Sequence, residues 1–65
     1  MLKYDRAWWM EVKRLMIENF YRSPEDAAAI IKLTFKNYKA RKVSEILYHD
    51  NPLHEAEALS HWKLK

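Results

Sequence analysis

Apolar residues recur along the first third of the chain with the period of an α-helix, and they fall on two faces. Projected at about 100° per residue, one broad face has Trp9 at its edge and otherwise collects Tyr4, Trp8, Val12, Leu15, Met16 and Phe20. A narrower set, here called the outer stripe, consists of Met10, Arg14, Ile17 and Tyr21. Its alternating spacing of four and three residues is typical of a coiled-coil seam, and Lys3, Arg6 and Lys13 flank it.

Three short polar segments indicate where helices begin. Ser23 stands before Pro24 and Asn51 before Pro52, which places an N-cap side chain ahead of a proline at the first helical position. Asp5 supplies a third, weaker start. We therefore predict helices over about residues 5–21, from residue 24 onward, and over about 52–63.

The middle of the chain is harder to divide. No proline or glycine lies between Pro24 and His49, yet the apolar positions drift from one helical face to another along this segment. A sharp turn would favour glycine, so we predict one continuous helix over residues 24–49, with Asn37 as the place where it could bend.

The amino-acid composition, together with these predicted helices, indicates the fold class. The chain has 65 residues, no glycine and no cysteine, and 49% of it is hydrophobic. Without glycine, tight β-hairpins are disfavoured. We therefore expect residues 1–65 to form one small all-α domain of three helices with a long central one, or of four if the middle segment divides.

The outer stripe has two interpretations. Either helix 1 is the central helix of a bundle and the other helices cover both of its faces, or the stripe meets a second copy or another protein. A chain this short has a small core, and without cysteines it has no disulfide to staple it. We therefore expect a homodimer or a partner complex, with an interface formed by Trp9, Met10, Arg14, Ile17 and Tyr21. A small regulator or inhibitor would fit this description.

A basic stretch suggests an alternative function. Residues 30–42 carry five basic side chains and no acidic one: Lys32, Lys36, Lys39, Arg41 and Lys42. On a helix the first three share a face, which could touch successive phosphates of a nucleic acid. The same face could instead be simply solvated, or it could dock on an acidic protein surface.

Other classes of function have less support. Neither a nucleophile–base arrangement nor a glycine-rich phosphate loop is present, and no cysteine is available to ligate zinc. His54, Glu57 and His61 share a helix face, but a structural zinc site needs a fourth ligand that the spacing does not fix. We therefore expect no enzyme activity, no metal and no cofactor. With no long apolar run and no signal-peptide pattern, we expect a cytoplasmic protein that does not enter a membrane.

Overall fold

The computed structural model describes residues 2–61 and contains helices and turns, with no strand in that range. Helix α1 spans Arg6–Phe20, α2 spans Pro24–Ala40 and α3 spans Pro52–Ser60, and a short 3-10 helix covers Glu45–His49 before α3. The prediction of a small all-α fold with three helices is confirmed. The predicted end of the last helix, at residue 63, lies outside the described residues.

The predicted caps are confirmed, and each works through one hydrogen bond. Asp5 accepts from the backbone N–H of Trp8 at 3.0 Å and Ser23 from that of Asp26 at 3.1 Å. The Asn51 side chain accepts from the N–H of Leu53 at 2.9 Å. These bonds satisfy N–H groups that the first turn of a helix cannot pair by itself.

The continuous helix predicted for residues 24–49 is wrong. Helix α2 ends at Ala40, and Lys42 turns the chain with a φ of 57°. Ser44 then caps the 3-10 helix by accepting from the N–H of Ile46 at 3.0 Å. Asn37 stays within α2, so the break comes later than the bend considered there. A lysine in the left-handed region, rather than a glycine, makes this turn.

The core lies where the three helices meet around α1. Its buried members are Trp8, Trp9, Val12, Met16, Ala27, Ile30, Ile31, Ala56 and Leu59. Helix α1 packs against both α2 and α3, while those two helices meet each other over a smaller area. A hydrogen bond from the Tyr38 hydroxyl to a Glu55 carboxylate oxygen, at 2.7 Å, links them. Burial, reinforced by this bond to the carboxylate, raises the pKa of Tyr38.

Residues 43–49 close the structure over the start of α1. The hydroxyl of Tyr48 accepts from the indole N–H of Trp9 at 3.0 Å and donates to the carbonyl of Lys3. The indole N–H of Trp8 donates to the carbonyl of Asp50 at 3.2 Å. Both tryptophans therefore bury their rings and still pair their polar groups, which an indole in a core requires.

Candidate functional site

The outer stripe faces away from the core along α1. Met10 is 55% exposed and Tyr21 is 92% exposed. Arg14 is also exposed, whereas Ile17 is partly buried and touches the edge of the core. Large apolar side chains that line up on one exposed helix face are a feature of interaction surfaces.

Trp9 does not belong to that surface. Only 1% of it is exposed, and its ring packs edge-on against Trp8, with centroids 4.9 Å apart. The prediction that placed Trp9 in the interface is therefore wrong for the folded chain. Tyr4, Phe35 and Tyr38 pack around its ring, and the turn at Lys42 brings Tyr48 against it as well.

Arg14, the charged member of the outer stripe, is bound by two carboxylates of its own helix. Its guanidinium donates to Glu11 at 2.9 and 2.5 Å and to Glu18 at 3.1 Å. The hydrogen bond from Arg14 lowers the pKa of Glu11 below its ordinary value, although partial desolvation of the carboxylate acts in the opposite direction. The same bonds raise the pKa of Arg14. An arginine with two such partners is neutralised locally and does not present a free positive charge to an approaching surface.

This pairing predicts a shift that can be measured at Glu11. In Arg14→Gln the pKa of the Glu11 carboxyl should rise towards its ordinary value, because its main hydrogen-bond donor is gone. In the wild-type protein the pKa of Glu11 is lower in the folded chain than in the unfolded chain. The pairing with Arg14 therefore favours folding at neutral pH, where Glu11 is ionised. That contribution is lost as the pH falls through the folded-state pKa. A carboxyl-carbon NMR titration of both proteins tests this, and identical Glu11 titration curves would contradict the pairing.

Tyr21 occupies an unfavourable backbone conformation. It ends α1 in the left-handed region, with φ 59° and ψ 27°. Its N–H and that of Arg22 both bond the carbonyl of Met16, the second at 3.1 Å. Glycine is the usual residue at such a position, because a side chain there is strained. An aromatic ring that is almost wholly exposed gives the isolated chain little in return for that strain.

A groove that the sequence did not reveal borders the stripe. It lies between α1 and α2, has a volume of about 490 Å³ and shares Met10 with the stripe. Its apolar lining includes Ile31 and Phe35, and its charged lining residues are Arg6, Lys13 and Lys32, with no acidic residue among them. The repeated basic residues near the stripe were the available signal, but the position of Phe35 opposite α1 depends on tertiary packing.

The basic stretch forms an exposed surface, although not a single row. Lys32, Lys36 and Lys39 lie on α2, and the amino group of Lys39 stands 5.9 Å from the centre of the Phe35 ring. Arg41 caps the helix and Lys42 lies in the turn beyond it, so Lys42 does not continue the helical row. None of the five forms a salt bridge with another residue between 2 and 61.

His54 and Glu57 lie on α3, and His61 caps its C-terminal end. The Nδ1 of His54 lies 3.5 Å from a carboxylate oxygen of Asp50. Among residues 2–61, no three His, Cys, Asp or Glu side chains come close enough together to hold a metal ion. In the same range, no helix is both long enough and apolar enough to cross a bilayer.

Comparisons with protein-family models, with curated proteins and with solved structures find no match to this chain. Its function must therefore be inferred from its own residues and their geometry.

Proposed function

We propose that this chain is a small cytoplasmic protein-interaction module, a regulator or inhibitor that works by presenting α1 to another protein chain. The observation that carries the proposal is Tyr21. It is held in a strained left-handed conformation, it is 92% exposed, and it continues the line of Met10 and Ile17. Burial of Tyr21 by a partner would offset the backbone strain at this residue. Tyrosine is also enriched at the centres of protein interfaces.

The rest of the stripe is consistent with this proposal. Met10 adds a flexible apolar side chain of the kind common at binding surfaces. Arg14 brings its own counter-charges, Glu11 and Glu18, so a partner can cover it without leaving a charge unpaired. The groove beside Met10 extends the apolar surface towards α2.

Photo-crosslinking in the native cells tests the proposal directly. A benzoylphenylalanine placed at Met10 or at Tyr21 should give discrete protein adducts after irradiation. The same probe at Leu33, which is 49% exposed on α2, serves as the matched control and should give few. Adducts of equal yield at all three positions, or none at the two stripe positions, would overturn the proposal.

Replacement of Tyr21 by glycine separates stability from binding. Tyr21→Gly should raise the free energy of unfolding by about 1 kcal/mol, since glycine accepts a positive φ without strain, and it should weaken association. Lys42→Gly is the matched control, because Lys42 has a φ of 57° and lies outside the stripe. It should stabilise the chain similarly and leave association unchanged. Urea denaturation and sedimentation velocity measure the two effects.

Nucleic-acid binding is a second candidate, favoured by the five exposed basic side chains of the stretch at 32–42. Fluorescence anisotropy with a labelled DNA duplex should then show binding that weakens with salt. Changing Lys32, Lys36 and Lys39 to glutamine should reduce the logarithmic salt slope by about 3, roughly one per phosphate contact. A slope that the three substitutions leave unchanged would remove this candidate.

A further inference from the structure

The outer stripe is bordered by opposite charges on its two sides. Arg6 and Lys13 are seven residues apart and follow one edge of α1, while Glu11 and Glu18, also seven apart, follow the other. Residues seven apart stay on one side of a helix over two turns. The outward surface of α1 therefore has a basic edge and an acidic edge, with the stripe between them.

The stripe continues one step towards the N-terminus of α1. Ala7 precedes Met10 by three residues, so Ala7, Met10, Arg14 and Ile17 occupy alternating positions of a heptad seam. Those four residues, with Glu11 and Lys13, line a shallow open groove of about 500 Å³ along the helix. This groove follows the outward face of α1 from Ala7 to Ile17.

We infer that a second copy of this chain occupies the groove, with its α1 running parallel to the first about a two-fold axis along the helices. In that arrangement the basic edge of each helix meets the acidic edge of its partner. Lys13 approaches Glu18 of the second copy, and Arg6 approaches its Glu11. The inference rests on the proposed function and names its partner.

The antiparallel arrangement is disfavoured by the same charges. Reversing one helix brings acidic edge against acidic edge and basic edge against basic edge, which is repulsive. The charge pattern of α1 thus selects both the second copy as partner and the direction in which it lies.

The side chains involved are available for these contacts. Arg6 and Lys13 form no salt bridge with another described residue. Glu11 and Glu18 bind Arg14 within the helix, but a carboxylate has acceptor positions enough for a second cation. A polar residue at one seam position, here Arg14, is also a known means of fixing register in a paired helix.

Charge exchange tests the edges. Arg6→Glu with Lys13→Glu makes both edges acidic, and Glu11→Lys, Arg14→Glu and Glu18→Lys together make both basic while keeping charge pairs inside the helix. Each variant should dimerise at least about tenfold more weakly than wild type, because four exposed pairs change sign. An equal mixture of the two should recover wild-type affinity by sedimentation equilibrium. Wild-type dimerisation of either variant alone would overturn the inference.

Single cysteines test the direction, and the chain has no native cysteine to interfere. A parallel pair sets Met10 opposite Met10 and Ile17 opposite Ile17, whereas an antiparallel pair about the middle of α1 sets Met10 opposite Arg14 and Ile17 opposite Ala7, so that neither like pair is aligned. Met10→Cys and Ile17→Cys proteins of different mass, mixed in a glutathione redox buffer, should form disulfides almost only with their own kind. Leu33→Cys gives the background from chance encounters.

Mixed disulfides in excess of the two like-with-like products, or yields no higher than the Leu33→Cys background, would overturn the inference. If the disulfide test fails but the photo-crosslinks at Met10 and Tyr21 identify a different protein, only the pairing of two copies is wrong and the proposed function is retained. If those crosslinks are also absent, the proposed function fails with it.

Discussion

Trp9→Ala should leave the chain largely unfolded. Trp9 is 1% exposed, and its ring lies within 6.4 Å, centroid to centroid, of Trp8, Tyr4, Phe35, Tyr38 and Tyr48. Truncating a buried tryptophan costs about 3–5 kcal/mol. A domain of this length without a staple has a total stability of roughly 3–5 kcal/mol, so this one change removes most or all of it.

Urea denaturation followed by far-ultraviolet circular dichroism checks this result. Trp9→Phe should fall between wild type and Trp9→Ala, because it keeps part of the ring packing but loses the N–H that Tyr48 accepts at 3.0 Å. Tyr21→Ala is the control: it removes an aromatic of similar size that is almost fully exposed, and the change should stay within about 0.5 kcal/mol. A cooperative transition for Trp9→Ala at the wild-type midpoint would contradict the position of Trp9 as the centre of the core.

Met10→Asp should abolish association through α1 while the chain stays folded. Burying a methionine at an interface contributes about 1.5–3 kcal/mol, and losing that alone weakens binding by about 10- to 100-fold. The introduced carboxylate adds a desolvation cost if it is covered. Since Met10 is 55% exposed in the single chain, its loss has little effect on the fold.

Leu33→Asp is the matched control for this change. Leu33 is 49% exposed and lies on α2, so it undergoes a comparable substitution at comparable exposure outside the stripe. It should associate as wild type does. Sedimentation velocity reports association, and circular dichroism confirms that both variants are folded. If both variants lose association equally, or neither does, the stripe is not the interface.

The local features of the fold could be predicted from sequence because they depend on neighbouring residues. Asp5, Ser23 and Asn51 cap helices through bonds that reach two or three residues along the chain. The outward direction of Met10 and Arg14 likewise follows from helical periodicity, since the stripe lies opposite the face that carries Val12 and Met16. No distant part of the chain has to be known for either result.

The end of α2 could not be predicted because its cause is tertiary. The chain accepts a strained turn at Lys42 since the turn lets Tyr48 and Leu47 reach the start of α1. The drift of the apolar positions from one helical face to another along residues 24–49 reflects the end of α2 and the change in chain direction at Lys42. The prediction of a continuous helix gives more weight to the absence of glycine than to this drift. The strain at Lys42 costs about 1–2 kcal/mol, which is less than the chain gains by packing Tyr48 against two tryptophans.

The error at Trp9 has the same origin. Helical periodicity places Trp9 only at the edge of the core face and does not show that Tyr4, Phe35 and Tyr38 pack around its ring. Once residues 43–49 fold back, Trp9 gains a hydrogen-bond partner and a packed environment. The candidate interface therefore loses its largest side chain and is left with Met10, Arg14, Ile17 and Tyr21.

The molar mass of the wild-type chain in solution tests most directly whether a second copy covers α1. Light scattering over a dilution series should give a mass that approaches twice 7.9 kDa at high concentration and falls towards the single-chain value on dilution. The dilution should take effect earlier at high salt, since salt screens the exposed charge pairs along the helix edges. A mass of 7.9 kDa at every concentration and at both salt levels would contradict the pairing of α1 with itself.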